Sequence, residues 1–282
     1  MAITFSNSRN ECDCGNSAPG SPAGRMDMRE VSKKWQGEII KMKFPLLRYL
    51  GGDVHSAVFL TEHSEGTARK AAIKLLALDS GAAELQISRW RLALDLAHPH
   101  LTRVFDIGRC ELDGVGLIYV VMEYARQNLS QFVPRRTLST VEAQGMLEPT
   151  LSALSYLHGR GLVHGRIKPT NIMGVDDQLK LSSDSICRSG DLVGTLRGPS
   201  PYDPLEGASR AAADIWSLSM VLIESLTQHL PAWEGVVSVL PNIPEPFLSI
   251  ARHCLQRDPW RRWRPSDIAA SMTSIQPIAG RS

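Results

Sequence analysis

Everything else in this sequence takes its meaning from one octapeptide, His164-Gly165-Arg166-Ile167-Lys168-Pro169-Thr170-Asn171. It follows a helical run and leads into a short apolar stretch, Ile172-Met173. The helical run opens at Ser139-Thr140-Val141-Glu142. A hydroxyl residue with an acid three positions on can satisfy reciprocal backbone donors, so this is a capping box. Leu147, Leu151, Leu154 and Leu157 then recur on one helical face. After the octapeptide, the segments around Ile172 and at 179–181 read as short strands. Within the octapeptide, Arg166 has a fixed chemical limit. A guanidinium with a pKa above about 12 cannot accept a proton. It can pair with a phosphate or an acidic side chain.

Upstream the period is two rather than 3.6. Segments 44–50, 57–62 and 68–76 read as three strands of an antiparallel meander, with Gly51-Gly52-Asp53 breaking the first and Ser64-Glu65-Gly66 turning the second. Residues 81–97 are helical in composition, with Leu85, Trp90, Leu92 and Leu96 as apolar points. Two further strands are predicted at 101–107 and 117–124. Downstream, helices are predicted at 211–226, 248–255 and 267–274, punctuated by Pro231, Pro241, Pro244 and Pro246. The fold class is therefore α+β, a small antiparallel β lobe before a larger α lobe. A cleft between lobes is a usual place for a ligand.

With 282 residues the chain can bury a full core. A net charge of +2 gives no argument for nucleic acid or an anionic membrane as partner. Five cysteines, odd in number and scattered, are not a disulfide framework and point to a reducing, cytoplasmic setting. Cys12 and Cys14 read as incidental thiols without a second Cys/His cluster. No apolar run approaches the roughly 18 residues a membrane helix needs, and the start of the chain is no secretory signal. Residues 1–35, rich in Ser, Asn, Gly and Pro, read as a flexible tail. The folded domain is expected over 36–276, its first lobe about 36–124 and its second about 125–276, with a short tail at 277–282.

The octapeptide resembles the catalytic loop of protein kinases, H-R-D-x-K-P-x-N. Ala71-Ala72-Ile73-Lys74 resembles the strand that carries the phosphate-binding lysine. Val121-Met122-Glu123-Tyr124-Ala125 resembles the hinge, and Gly51 to Val58 the phosphate-covering loop. Asp214-Ile215-Trp216 and Asp258-Pro259-Trp260-Arg261-Arg262 resemble helical-lobe scaffold motifs. Gly198 to Glu206 resembles the end of an activation segment. The resemblance covers about 36–276 and is closest to bacterial Ser/Thr kinases. It implies a bilobal kinase-like fold with ATP as ligand. It places Gly51, Val58, Ala72, Lys74, Met122, Glu123, Ala125 and Met173 around the nucleotide, with Asn171 and Asp184 as metal candidates. Lys168 stays in the catalytic loop. His164, Glu206, Asp214 and Arg262 hold the scaffold. It implies that Asp214 accepts backbone N–H groups of the 164–166 loop and that Glu206 pairs with Arg262.

The departures fall on the chemistry. Arg166 stands where the family keeps its catalytic base, and losing a general base costs about 10²–10⁴ in rate. Gly165 replaces the arginine that usually receives an activation-loop phosphate. Asp53 replaces the second loop glycine, adding bulk and negative charge near phosphate. Pro199 replaces a hydroxyl residue. Counting back from His98-Pro99, the helix position for an acid facing Lys74 holds Arg89, and Glu84 reaches Lys74 only if the helix is shifted. Alignment on Lys180-Leu181 puts Ser183 at the metal-binding position, while a one-residue slip restores Asp184. The strand pattern favours Ser183, which leaves Mg²⁺ without its main ligand. A pseudokinase is implied, a regulatory module that binds protein partners and takes ATP weakly. The alternatives are an active Ser/Thr kinase with rearranged residues and, ranked last, a small-molecule phosphotransferase. A lysine at a cleft loses only a solvated or weakly paired charge, so Lys74→Met is expected to cost little.

Overall fold

The computed structural model describes residues 27–65, 67–191, 200–207, 210–231 and 243–273. The chain opens with a short helix, α1 (Met28–Val31), and a 3-10 turn at Ser32–Trp35. The flexible tail expected at 1–35 is therefore too long. Met28, Ser32 and Trp35 are buried, and the Trp35 indole N–H donates to Asp113 at 2.8 Å. The composition of the whole stretch hid two large apolar anchors near its end. Residues 1–26, with Cys12 and Cys14, lie outside the described residues, as do 274–282 and Pro199.

Next come β1 (Ile39–Ile40), β2 (Phe44–Pro45), β3 (Arg48–Asp53), β4 (Ser56–Glu65) and β5 (Thr67–Leu76). They are followed by helix α2 (Ser80–Leu94), β6 (Val104–Leu112) and β7 (Val115–Glu123). Strands β3-β4-β5-β7-β6, in that spatial order, form one antiparallel sheet. Two-residue alternation sorts its faces. Ala71, Ile73, Leu75, Tyr119 and Val121 point outward into a core shared with Met28, Trp35, Phe44 and Phe59. Ala72, Leu76, Ile118, Val120 and Met122 point inward against Ala83, Ile87 and Trp90 of α2. The β6–β7 turn is Asp113-Gly114, both at positive φ (50° and 75°), the backbone twist a tight hairpin needs. The sequence reading placed these two strands a few residues off because it passed over that dipeptide.

The helical lobe holds β8 (Gln127–Asn128), α3 (Thr140–His158), β9 (Leu162–Val163), β10 (Ile172–Val175), β11 (Gln178–Leu181) and β12 (Cys187–Arg188). Helices α4 (Ala211–Thr227), α5 (Phe247–Cys254) and α6 (Pro265–Thr273) complete it. Helix α4 is buried nearly all round, as a central core helix must be. Leu147, Leu151, Leu154 and Leu157 of α3 pack with it in one cluster. The chain is thus a β-sheet lobe followed by a helical lobe, α+β and bilobal.

The capping box of α3 forms as read: Ser139 Oγ accepts the Glu142 N–H, and Glu142 accepts the Ser139 N–H at 2.8 Å. The Arg136 guanidinium, helped by the Ser139 donors and opposed by burial, holds the Glu142 carboxyl down at about 2, against 4.5 ordinarily. A lowered carboxyl contributes stability above its unfolded pKa and loses it as pH falls through the folded one. Glu142→Gln is therefore expected to flatten the acid limb of unfolding between about pH 4.5 and 2. Melting temperature against pH for the two proteins checks it.

Candidate functional site

The inward face of the sheet carries the predicted nucleotide residues in adjacent rows. Gly51 pairs with Val58, Val58 with Lys74, and Lys74 with Val120; Ala72 pairs with Met122. Lys74 Nζ reaches Asp184 Oδ2 at 2.6 Å, and the other carboxylate oxygen accepts the Ser182 hydroxyl. The pair is largely shielded, with Lys74 17% and Asp184 6% exposed. It is neither the solvated nor the weakly paired cleft lysine expected from sequence.

The residue facing Lys74 is thus Asp184, not Ser183. The chain leaving β11 is pinned by three backbone bonds: Thr102 N–H to Leu181 O, Leu181 N–H to His100 O, and Ser182 N–H to Asn171 O. Ser183 then gives both its N–H and its hydroxyl to Thr102. With Ser183 turned to Thr102, the next side chain faces the opposite way, to Lys74. The register favoured from the strand pattern fails because the anchor is Thr102, 81 residues away.

Glu84 does not serve Lys74 either. It pairs with Arg109 at the surface. In its stead, α2 is tied to the same segment by neutral donors. Trp90 Nε1 and Gln86 Nε2 donate to the Asp184 carbonyl at 3.0 and 3.3 Å. Both side chains are buried, one helical turn apart. Sequence reading took Trp90 only as an apolar point and passed over Gln86. A polar residue one turn from a tryptophan on the apolar face was the available signal.

The segment that resembles a phosphate-covering loop is a tight hairpin. β3 runs on through Gly51 and Gly52 to Asp53, so these residues do not break the strand, and only Val54 and His55 turn. A Cβ on Gly52 would lie 2.2 Å from Ser56 O, so only glycine allows this pairing. Asp53 caps the turn, accepting from His55 N–H and Ser56 Oγ, each at 2.9 Å. Burial pushes its carboxyl up, but those bonds and the charge of Lys74 outweigh it and hold the group low.

In the catalytic-like loop, Asp214 is buried in the first turn of α4. Its carboxylate accepts His164 N–H at 2.9 Å and Gly165 N–H at 2.8 Å, with His158 Nε2 at 2.9 Å. Asn171 Nδ2 donates to the Arg166 carbonyl at 2.8 Å, and the Arg166 N–H reaches His164 Nδ1 at 3.3 Å. The charges of Arg166 and Lys168 act on Asp203, whose carboxyl burial pushes up against them and against the Ser200 N–H. Arg262 donates to Glu206, to Ala212 O at 3.0 Å and to Gln256 O at 2.8 Å. Its side chain is 1% exposed, that of Glu206 29%.

The protein kinase domain family model matches residues 45–272, most of the chain. The chain belongs to the protein kinase family. This kinase domain is 28% identical to the serine/threonine-protein kinase PrkC of Bacillus subtilis over 264 residues, covering 82% of this chain and 40% of that protein. It is 28% identical to the probable serine/threonine-protein kinase PknB of Corynebacterium glutamicum over 258 residues, 85% and 38% of the two chains. It is 31% identical to PknA of Mycobacterium tuberculosis over 197 residues, 63% and 46%. The chain thus spans about two fifths of the length of these relatives.

The remaining predicted residues of the kinase domain take structural partners. Glu123 binds Lys180 Nζ through both carboxylate oxygens, at 2.9 and 2.8 Å, and accepts the Arg103 N–H. Its own N–H goes to Arg103 O. The hinge side chain thus ties β7 to β11. Ala125 follows β7 in the link to β8, and Met173 pairs with Asn128 and Lys180 in the small sheet. Among the described residues, no group of three His, Cys, Asp or Glu could hold a metal ion.

Proposed function

We propose that this kinase domain is a pseudokinase, a protein-binding regulatory module that takes adenine nucleotide weakly. The carrying observation is Arg166. Its backbone is held at both ends, by His164 and Asn171, in a loop anchored on Asp214. The loop is built, but its side chain at the base position cannot accept a substrate proton. The tight hairpin capped by Asp53 supports weak phosphate contact.

The donor set fits Mg²⁺ only in minimal form, with one carboxylate, Asp184, and one amide, Asn171. Mg²⁺ takes one or two carboxylates with phosphates and water supplying the rest. Here it has to draw Asp184 away from Lys74. When bound, Mg²⁺ would neutralise phosphate charge. That Asp184 rather than Ser183 faces Lys74 favours the second reading, an active Ser/Thr kinase relying on positioning and electrostatics. A small-molecule phosphotransferase has least support, since the Glu206–Arg262 scaffold pair is present. We place the domain in the cytoplasm, which its free thiols support. Among the described residues no helix is long and apolar enough to cross a membrane.

ATP titration followed by melting, with and without Mg²⁺, tests the nucleotide, since a ligand at 100 times its Kd stabilises by about 2.7 kcal/mol. A small shift that Mg²⁺ hardly changes is expected, with no radiolabel passed from ATP to protein substrates. Incorporation above background that disappears in a folded Asp184→Asn variant would sink the pseudokinase reading and establish the second.

A further inference from the structure

Outside the cleft, two large apolar side chains stand in solvent beside a basic surface. Trp260 is 87% exposed and Leu205 84%. They belong to different segments, but Glu206, next to Leu205, is held by Arg262, two residues from Trp260. Arg262 also binds Ala212 O at the start of α4. One buried guanidinium thus ties the segment that carries Leu205 to the turn that carries Trp260. Exposed arginines lie on the segments that Arg262 ties together: Arg261 and Arg264 beside Trp260, Arg210 just before Ala212, and Arg252, whose carbonyl accepts from Gln256. Of the exposed acids on these segments, Glu206 is paired with Arg262, and Asp258 and Asp267 accept the backbone N–H groups of Trp260 and Arg264. The fold gives Trp260 no packing role. Trp263, by contrast, is stacked on His253 at 4.2 Å.

We propose that Trp260 and Leu205, together with these arginines, form a docking site for an acidic protein segment bearing a bulky apolar residue. Tryptophan and arginine are the residues that carry binding energy at interfaces. Arginine pairs carboxylates in two-pronged fashion. The charge is complementary to an acidic partner and repels a basic one. The proposal rests on the reading of the domain as a protein-binding module and gives that module a surface and a partner chemistry.

The test is selection of a displayed random-peptide library on the full chain, followed by affinity measurement with the selected synthetic peptides. Enrichment of peptides with acidic residues around an aromatic or aliphatic residue is expected. Trp260→Ala and Arg261→Glu should each weaken them about 30-fold or more, the threshold of a hot spot. Both positions are exposed, so unchanged melting curves should accompany the loss. Enrichment without acidic residues, or affinity unmoved by either substitution, overturns the proposal. So does binding to vesicles of anionic phospholipid, lost in Trp260→Ala, with no peptide enriched. Failure of the module reading itself appears elsewhere, as radiolabel transfer, so the two are distinguishable.

Discussion

Lys74→Met is expected to lower unfolding free energy by about 3 kcal/mol, the lower end of what breaking one side of a buried ion pair costs. The loss comes from Asp184, left with a shielded negative charge beside the Ser182 hydroxyl once the ammonium is gone. Lys74 itself is more exposed, which keeps the figure at the low end. Denaturant unfolding of the wild type, Lys74→Met, Asp184→Asn and the double variant measures it. The double variant should cost clearly less than the sum of the singles, because the two residues are in contact. A midpoint unmoved in Lys74→Met would refute a stabilising pair. The result bears on how nucleotide dependence is tested. Loss of function in Lys74→Met shows a need for ATP only if the variant still melts as a folded protein.

Asp214→Ala should cost about 2–6 kcal/mol. Two buried backbone donors, His164 and Gly165 N–H, lose their acceptor, at about 1–3 kcal/mol each. Asp214→Asn keeps one acceptor oxygen and should recover about half of that. Melting curves measure the total. Hydrogen exchange at the His164 and Gly165 amides locates it, and exchange as slow as in the wild type would contradict the assignment.

Much of this architecture was legible because it is written locally. Alternation along 71–76 separates Ala72 and Lys74 from Ala71 and Ile73, and four residues suffice to cap α3. The Asp214 and Glu206–Arg262 contacts follow the motif spacing. What the sequence concealed depends on contacts between distant segments. Thr102 decides whether Ser183 or Asp184 meets Lys74, and no pattern within β11 contains Thr102. Gln86 and Trp90 hold the Asp184 carbonyl by side-chain donors that a search for an acidic helix partner passes over. Met28 and Trp35 sit in a stretch whose average composition reads as disordered, although single anchors are enough to pin it. Glu84 was the opposite case, an acid in a plausible place drawn instead to Arg109 at the surface.

The hairpin over the cleft has a historical consequence. Gly52 is fixed by the closeness of Ser56, and Asp53 by the two donors it caps. Changing Asp53 alone to glycine would strip the cap without lengthening the two-residue turn. The intermediate would be looser than either end state and no better at meeting phosphate. A phosphate-gripping loop at this place thus requires several coordinated changes. Arg166 is a change at one position; the hairpin is not, and on the proposed pseudokinase reading it would make a departure from catalysis hard to reverse.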